Sequence, residues 1–187
     1  MGLMAVAARK RFTYGDFLRF PDDGNRHEVI EGEWIMTPPP TTDHQKVVSN
    51  LHLLRAPRAG KKDGGELLFS PVGVVLTRTD AVQPDLLFLS SRRAGLLRKD
   101  AIHGAPDLIV EVLSPSTASL DRGKKLRLYG RAGVREYWIV DPASRTVEVH
   151  EFGRARRTRI HPAGQSFGSS VLPGLRLEVD AVFARLR

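Results

Sequence analysis

The run Leu-Ile-Val-Glu-Val-Leu at residues 108–113 constrains the fold more than any other part of the chain. Its branched apolar residues are typical of a strand that is buried on both faces in the middle of a sheet. Because successive side chains of a strand point to opposite faces, one of those faces must also accept Glu111. Burial of an ionised carboxylate without a partner costs more free energy than a small domain can spare. A positive group must therefore lie near Glu111: a metal ion, a lysine or an arginine.

Asp85 is a second carboxylate of interest, because it follows Pro84 and begins another strand-like run, residues 86–89. Taken alone, a Pro-Asp pair is typical of a turn or of the start of a strand. Neighbouring strands lie about 4.8 Å apart, so two acids at matching depth can share a hard cation such as Mg²⁺ or Mn²⁺. A structural salt bridge is the alternative. Carboxyl groups of Asp85 and Glu111 that lie too far apart for one ion, or an arginine that fills the gap between them, would count against a shared cation.

Lys125 is the third candidate, on a helix predicted for residues 118–131 directly after the strand of Glu111. Asp121, Lys125, Leu128 and Tyr129 share one helical face by their spacing of three and four residues. A lysine on the same face as a leucine and a tyrosine can point inward, toward the preceding strand. The alternative is a surface lysine that pairs with Asp121 and keeps its charged end in solvent.

Strand-like and helix-like segments alternate around residues 108–113 and predict one domain of the α/β class, bordering on α+β, over residues 1–187. Residues 1–12 are expected to form a flexible N-terminal segment. Glu31-Gly32 predicts a tight hairpin, and Pro38-Pro39-Pro40 interrupts the chain after it. The other expected helices are residues 13–20 and 41–54, and the other expected strands are residues 26–30, 33–36, 72–76, 136–140 and 146–152, with a last strand and a short helix within 170–183.

Charge is the unusual bulk property, since 29 Lys and Arg stand against 21 Asp and Glu, for a net charge of +8. The basic residues cluster at residues 55–62, 92–99, 122–131 and 154–159. Such clusters attract a polyanion, of which nucleic acid is the commonest, and solvated surface charge is an equally good interpretation. Aromatic residues are sparse within the clusters, which argues against a stacking platform for single strands.

The composition and the hydropathy pattern exclude several classes of protein. The absence of cysteine rules out disulfides, thiolate metal sites and cysteine nucleophiles, and it permits a reducing environment. Residues 1–11 are too short and too weakly apolar for a signal peptide, and no run reaches the roughly 18 apolar residues of a membrane span. A soluble, cytoplasmic protein without a membrane partner is therefore expected.

Four motifs are informative when taken together: Pro84-Asp85, Glu111-Val-Leu-Ser-Pro-Ser-Thr, Lys125-x-x-x-Tyr129, and Gly-Val-Arg-Glu-Tyr-Trp-Ile-Val-Asp-Pro at residues 133–142. The block at residues 106–142 is the most specific part, whereas Pro84-Asp85 alone indicates nothing. The hairpin His-Glu-Val-Ile-Glu-Gly-Glu at residues 27–33, His44 on the next helix, and Leu-Pro-Gly-Leu at residues 172–175 accompany them. Together these features resemble the Uma-two family of bacterial endonucleases, within the PD-(D/E)xK nuclease superfamily. The resemblance extends over nearly the whole chain.

The resemblance implies a restriction-endonuclease-like fold, in which a mixed central sheet is flanked by helices and the active site lies at one end. It also implies that Asp85 and Glu111, together with the Val112 carbonyl, bind Mg²⁺ or Mn²⁺. The superfamily's lysine is expected at position 113, where this chain has Leu113, and Lys125 on the helix stands in its place.

Three further residues match the family pattern and are candidates for the same site. Glu28 could complete the metal shell, or it could be a strand-edge glutamate that faces solvent. His44 is more simply explained as a partly buried core residue, and Tyr129 belongs to the lysine motif.

The resemblance implies a divalent-metal-dependent endonuclease that hydrolyses phosphodiester bonds of nucleic acid, with DNA as the expected substrate. One domain carries one site, so cutting both strands of a duplex calls for a homodimer or a homotetramer. The alternative is a module with the same fold that binds nucleic acid, or another protein, without cleavage.

Overall fold

The computed structural model describes residues 10–55 and 65–186, in which the chain forms two larger sheets and one small one with helices around them. The helices are α1 (Tyr14–Phe17), α2 (Thr42–Arg55), α3 (Ala118–Leu120), α4 (Leu126–Ala132) and α5 (Val179–Val182), with a 3-10 helix at Ser91–Leu96 and a π-helical turn at Asp121–Lys125. The strands are β1 (Arg26–Ile30), β2 (Glu33–Thr37), β3 (Gly65–Phe69), β4 (Val74–Thr77), β5 (Asp80–Val82), β6 (Leu86–Ser90), β7 (Ile102–His103), β8 (Leu108–Val112), β9 (Glu136–Asp141), β10 (Thr146–Phe152), β11 (Arg156–Pro162), β12 (Ser166–Gly168) and β13 (Arg176–Glu178).

The main sheet has six strands in the order β11-β10-β9-β8-β6-β3. β8 lies inside it, parallel to β9 and antiparallel to β6, and all five of its residues are buried. This confirms the central, doubly buried strand that the apolar run predicts. Leu86 of β6 is paired with Val110 of β8. Because the two strands are antiparallel, Asp85, which precedes Leu86, and Glu111, which follows Val110, lie side by side at the same end of the sheet.

The β1–β2 hairpin positions the second layer of the site. Its turn is formed by Glu31 and Gly32, whose φ angles of 56° and 77° are left-handed, as a two-residue hairpin turn requires. β1 also pairs with β5 in a five-stranded sheet of order β2-β1-β5-β4-β7. The residues at the start of β1 thereby lie close to the residues that precede β6.

The apolar core lies on both faces of the main sheet. Val110 and Val112 pack on one face with Val47 of α2 and Val182 of α5. On the opposite face, Ile109 packs in the core that contains the buried residues of α4. By strand alternation Glu111 shares this second face with Ile109, so its carboxylate lies beneath α4.

Several segments differ from the sequence prediction. The sequence patterns do not predict β3, β5, β7, β11 and β12, and β11 includes most of the basic cluster at residues 154–159. The helix predicted for residues 118–131 is divided by the π-helical turn and ends at Gly133, which has the left-handed φ of 92°. Residues 56–62 of another basic cluster, and residues 1–9 of the expected flexible segment, lie outside the described residues. No helix within the described ranges is both long and apolar enough to cross a membrane.

Candidate active site

The candidate site is a cleft of about 220 Å³ at the end of the main sheet where β8 finishes. Residues 38–40, between β2 and α2, form one wall, and residues 114–117, between β8 and α3, form another. The predicted residues Asp85, Glu111 and Lys125 all line it. So do Glu28 and His44, whereas Tyr129 lies behind the cleft and reaches it through Glu111.

Asp85 is buried and is held from three directions. The backbone N–H of Val112 donates to its Oδ2 at 2.8 Å, and His44 Nε2 lies 3.1 Å from the same oxygen. Arg26 donates to Oδ1 at 2.7 Å. Burial raises the pKa of Asp85, but the hydrogen bond from His44 and the charge of Arg26 outweigh it and lower the pKa to about 2. Asp85 is therefore ionised at neutral pH.

Glu111 is buried from the opposite side by the helix above it. Lys125 Nζ and the Tyr129 hydroxyl both donate to its Oε1, at 2.9 and 2.8 Å. Its Oε2 lies 4.0 Å from Arg26 Nη1, on the side of the cleft. Burial raises the pKa of Glu111 to about 8, with a further contribution from the other acids, because Lys125 only partly compensates for the lost hydration.

Lys125 is a buried lysine, with only 3% of its side chain exposed. Its Nζ lies 2.9 Å from both Glu28 Oε2 and Glu111 Oε1, and 3.5 Å from Asp121 Oδ1. Burial lowers the pKa of Lys125, but these three carboxylates raise it well above the usual value. Lys125 is therefore a fixed positive charge, and the alternative of a solvent-directed lysine is wrong.

Glu28 and His44 have defined places in this arrangement. Glu28 is buried rather than solvent-facing, and its second oxygen accepts the Gln83 N–H at 2.8 Å. His44 lies in the first turn of α2, where its backbone N–H donates to the Thr41 hydroxyl at 3.2 Å. Its Nδ1 is buried without a hydrogen-bond partner, so the imidazole is held by Asp85 through Nε2 alone.

Arg26 lies between the two predicted metal ligands. Its guanidinium bonds to Asp85, approaches Glu111, and also donates to the Ser70 hydroxyl at 3.3 Å. Burial lowers the pKa of Arg26, but the negative charges of Asp85 and Glu111 outweigh this effect and raise the pKa above its usual value. The guanidinium is therefore always charged. This is the arginine that the salt-bridge alternative requires. The positive partners of Asp85 and Glu111 are thus the side chains of Arg26 and Lys125.

The sequence profile of the Uma2 family, described as "Putative restriction endonuclease", matches residues 14–180. The chain belongs to the Uma2 family. An uncharacterised protein of Synechocystis sp. is 24% identical over 152 residues, which cover 80% of this chain and 85% of that protein.

The fold is also similar to a solved structure, a putative nuclease belonging to DUF820 from Anabaena variabilis. The TM-score is 0.76 and the identity 21%, over 92% of this chain and 97% of the other. The similarity confirms the expected fold class, a mixed α/β fold of the restriction-endonuclease-like type.

The donors in the cleft of this Uma2 protein fit a hard divalent cation, because they are carboxylate oxygens. Four acids are involved, namely Asp85 and the three that contact Lys125. Among the described residues no three His, Asp or Glu side chains form a group that could hold a metal in this arrangement. The guanidinium of Arg26 lies beside the oxygens of Asp85 and Glu111 that face the cleft. A cation bound by both acids would have to displace it.

The sequence patterns of this Uma2 chain do not predict two residues of the site, Arg26 and Asp121. Arg26 is two positions before Glu28, so strand alternation places both on one face of β1, and this spacing was the available signal. Asp121 shares a helical face with Lys125, but this spacing alone does not assign it to the site. It is 2% exposed and its Oδ1 has no hydrogen-bond partner, although Lys125 lies near it.

The basic clusters differ in how far acids neutralise them. In the cluster at residues 122–131, Arg122 pairs with Asp141 and Glu148, and Lys124 pairs with Glu33. Most of the cluster at residues 154–159 lies on β11, an edge strand with exposed arginines, of which Arg159 lies 3.6 Å from Glu151. Net charge alone therefore overstates how much of the surface is available to a polyanion.

Proposed function

We propose that this Uma2 protein is a divalent-metal-dependent endonuclease that hydrolyses phosphodiester bonds, with DNA as its substrate. The observation that carries the proposal is the convergence of Asp85, Glu111 and Lys125 on one cleft, from the residue before β6, from β8 and from the helical segment after β8. Membership of a family described as restriction endonucleases supports the same reaction class.

Asp85 and Glu111, with the Val112 carbonyl, are the proposed ligands of Mg²⁺ or Mn²⁺. Such an ion, when bound, would lower the pKa of a water molecule and offset charge on the scissile phosphate. Lys125 and Tyr129 both engage Oε1 of Glu111, which fixes the carboxylate and directs Oε2 toward the cleft. The Val112 N–H holds Asp85 in the same way. These contacts orient both acids before any substrate arrives.

Isosteric variants of the two acids provide the test. Asp85→Asn and Glu111→Gln should each abolish cleavage in Mg²⁺ or Mn²⁺ while the circular dichroism spectrum stays native. Glu178→Gln is the matched control, because Glu178 is 61% exposed and lies on β13. The substrates are double-stranded, branched and single-stranded DNA, and the corresponding RNA. Wild-type rates in both acid variants would reject the assignment.

The position of Arg26 favours a second candidate, a nucleic-acid-binding protein with this fold that does not cleave. In that case Arg26 would neutralise Asp85 permanently. Calorimetric titration of the folded protein with MnCl₂ separates the two functions. Uptake of Mn²⁺ that disappears in Asp85→Asn supports the nuclease, whereas absence of uptake together with retained DNA binding supports the second candidate.

A duplex-cutting enzyme with one cleft per chain requires two copies, so a homodimer, or a homotetramer of two such pairs, is part of the proposal. Light scattering coupled to size-exclusion chromatography measures the mass directly. A monomer that nevertheless makes double-strand breaks at low enzyme concentration would contradict this part.

A further inference from the structure

Two permanently charged side chains, Lys125 and Arg26, contact the acids of the cleft, and they differ in burial and in the number of short ionic contacts. Lys125 is 3% exposed and is enclosed by three carboxylates. Arg26 is 18% exposed, lines the cleft, and has a single short ionic contact, to Asp85 Oδ1 at 2.7 Å. Its other ionic contact, to Glu111 Oε2, is 4.0 Å long, beyond a hydrogen bond. Arg26 can therefore leave its carboxylates by breaking one short ionic contact, whereas Lys125 would have to break two, each of 2.9 Å.

The oxygen atoms that Arg26 contacts are those that the rest of the protein leaves available. Oδ2 of Asp85 is taken by the Val112 N–H and His44, and Oε1 of Glu111 is taken by Lys125 and Tyr129. Asp85 Oδ1 and Glu111 Oε2 remain, and both face the guanidinium. A guanidinium supplies one positive charge at these two oxygens, whereas Mg²⁺ or Mn²⁺ supplies two.

We propose that Arg26 is a displaceable counter-ion, which competes with the divalent cation for Asp85 and Glu111 and thereby sets the cation affinity of the site. The inference rests on the proposed function, since it presumes that these two acids bind a metal. In the metal-free protein the Arg26 guanidinium lies beside Asp85 Oδ1 and Glu111 Oε2. When a cation binds, Arg26 turns toward the open side of the cleft.

The size of the effect follows from the charge that is removed. An arginine beside a carboxylate lowers the affinity of that carboxylate for a proton by about 10- to 1000-fold, and the same repulsion acts on a metal cation. Replacement of Arg26 by an uncharged side chain of similar length should therefore tighten Mn²⁺ binding by about tenfold or more. A role limited to stability would leave the Mn²⁺ affinity unchanged.

The test is calorimetric titration of MnCl₂ into wild type, Arg26→Met and Arg122→Met. Arg122 is the matched control, because it is also a paired arginine, yet its partners Asp141 and Glu148 do not line the cleft. Arg26→Met should bind Mn²⁺ about tenfold more tightly than wild type, and Arg122→Met should differ by less than about threefold because solvent screens its charge. Equal affinity of Arg26→Met and wild type would overturn the inference and leave the proposed function standing. Absence of uptake in all three proteins would overturn both.

A second measurement follows Arg26 in the wild-type protein itself, so a folding defect of Arg26→Met cannot produce its outcome. The side-chain Nε–H resonances of arginine are followed by NMR during titration with diamagnetic Mg²⁺, and the Arg26 signal is assigned with Arg26→Lys. Displacement predicts that the Arg26 resonance shifts in proportion to Mg²⁺ uptake, while the Arg122 resonance stays in place. An unchanged Arg26 resonance at saturating Mg²⁺ would overturn the inference.

Discussion

Glu111 illustrates how one residue can determine much of a site. A carboxylate in the middle of a buried strand demands a positive partner, and the structure provides Lys125 at 2.9 Å and Arg26 at 4.0 Å. These partners do not fully compensate for the free energy that the Glu111 carboxylate loses on dehydration. Asp85, Asp121 and Glu28 also place negative charge close to it, which disfavours its ionised form further. The result is a carboxyl group that retains its proton at pH values where an exposed glutamate would lose it.

The raised pKa of Glu111 predicts a pH-dependent stability. The ordinary value of 4.5 applies to the unfolded chain, and the folded value is about 8. Between these values the folded protein holds a proton that the unfolded chain has released, so stability falls as pH rises from 4.5 to about 8. The slope from this group approaches about 1.4 kcal/mol per pH unit.

Urea denaturation in EDTA at several pH values measures this slope, with Glu111→Gln as the reference because its side chain does not titrate. The stability difference between wild type and the variant should change steadily between pH 5 and 8. Parallel profiles for the two proteins would show that Glu111 titrates normally in the folded state.

Lys125→Met should destabilise the protein strongly at neutral pH. The substitution keeps the length of the side chain but leaves Glu28, Glu111 and Asp121 without their shared cation, and loss of one partner from a buried ion pair costs about 3–5 kcal/mol. Lys124→Met should cost less than about 1 kcal/mol, since the Lys124–Glu33 pair is exposed to solvent. Chemical denaturation at pH 8 compares the two neighbours. A similar small loss in both would mean that the buried cation contributes nothing to stability.

At the scale of elements, the helix that follows β8 owes its shape to a π-helical turn at Asp121–Lys125. The turn contains one more residue per hydrogen-bonded ring than an α-helix and often occurs at functional sites. Here it begins at Asp121, one of the acids of the site, and ends at Lys125, which contacts Glu28 and Glu111. Tyr129, one turn later in α4, completes the contact with Glu111.

Two glycines of this helical segment should respond oppositely to the same substitution. Gly133→Ala should cost about 1 kcal/mol, because Gly133 ends α4 with a φ of 92°, which alanine adopts only with strain. Gly123→Ala should be neutral or stabilising by up to about 1 kcal/mol, because alanine favours helix and a Cβ there meets no atom within 4 Å. Thermal melting of both variants provides the comparison. Destabilisation by Gly123→Ala would indicate that the π-helical turn needs the freedom of glycine.

The elements that the sequence predicts correctly are those with strong local signals. The turn residues Glu31-Gly32 predict the β1–β2 hairpin, and the apolar run at residues 108–113 predicts β8. β11 escaped prediction because its residues Arg156–Pro162 are mostly polar and exposed, so its strand conformation depends on pairing with β10. The hydrogen bond of Arg26 with Asp85 joins residues that are 59 positions apart, and no local pattern indicates it. Local sequence patterns therefore do not predict contacts between residues distant in the chain, such as the β10–β11 pairing or the Arg26–Asp85 ion pair.

For the molecule as a whole, the net charge of +8 is unevenly available. Arg93 donates to the carbonyl groups of Ala105, Pro106 and Gly133, and Arg131 pairs with Glu31. These arginines hold the fold together, and their charges are already partly compensated. Long-range attraction of nucleic acid depends on the cations that remain exposed, among which the arginines on and before β11 are prominent.

This distribution predicts which arginines govern binding to nucleic acid. A double variant Arg154→Ala/Arg157→Ala, at exposed positions, should weaken binding to a DNA duplex and reduce the dependence of log K on log salt by about 0.9 for each phosphate that the protein no longer neutralises. The matched double variant Arg122→Ala/Arg131→Ala removes the same charge from paired positions and should leave the salt slope nearly unchanged. Fluorescence anisotropy at several salt concentrations, in EDTA to prevent cleavage, measures both slopes. A larger effect of the paired arginines would place the nucleic acid along the helical side of the molecule rather than along β11, because those arginines would then have exchanged their acids for phosphates.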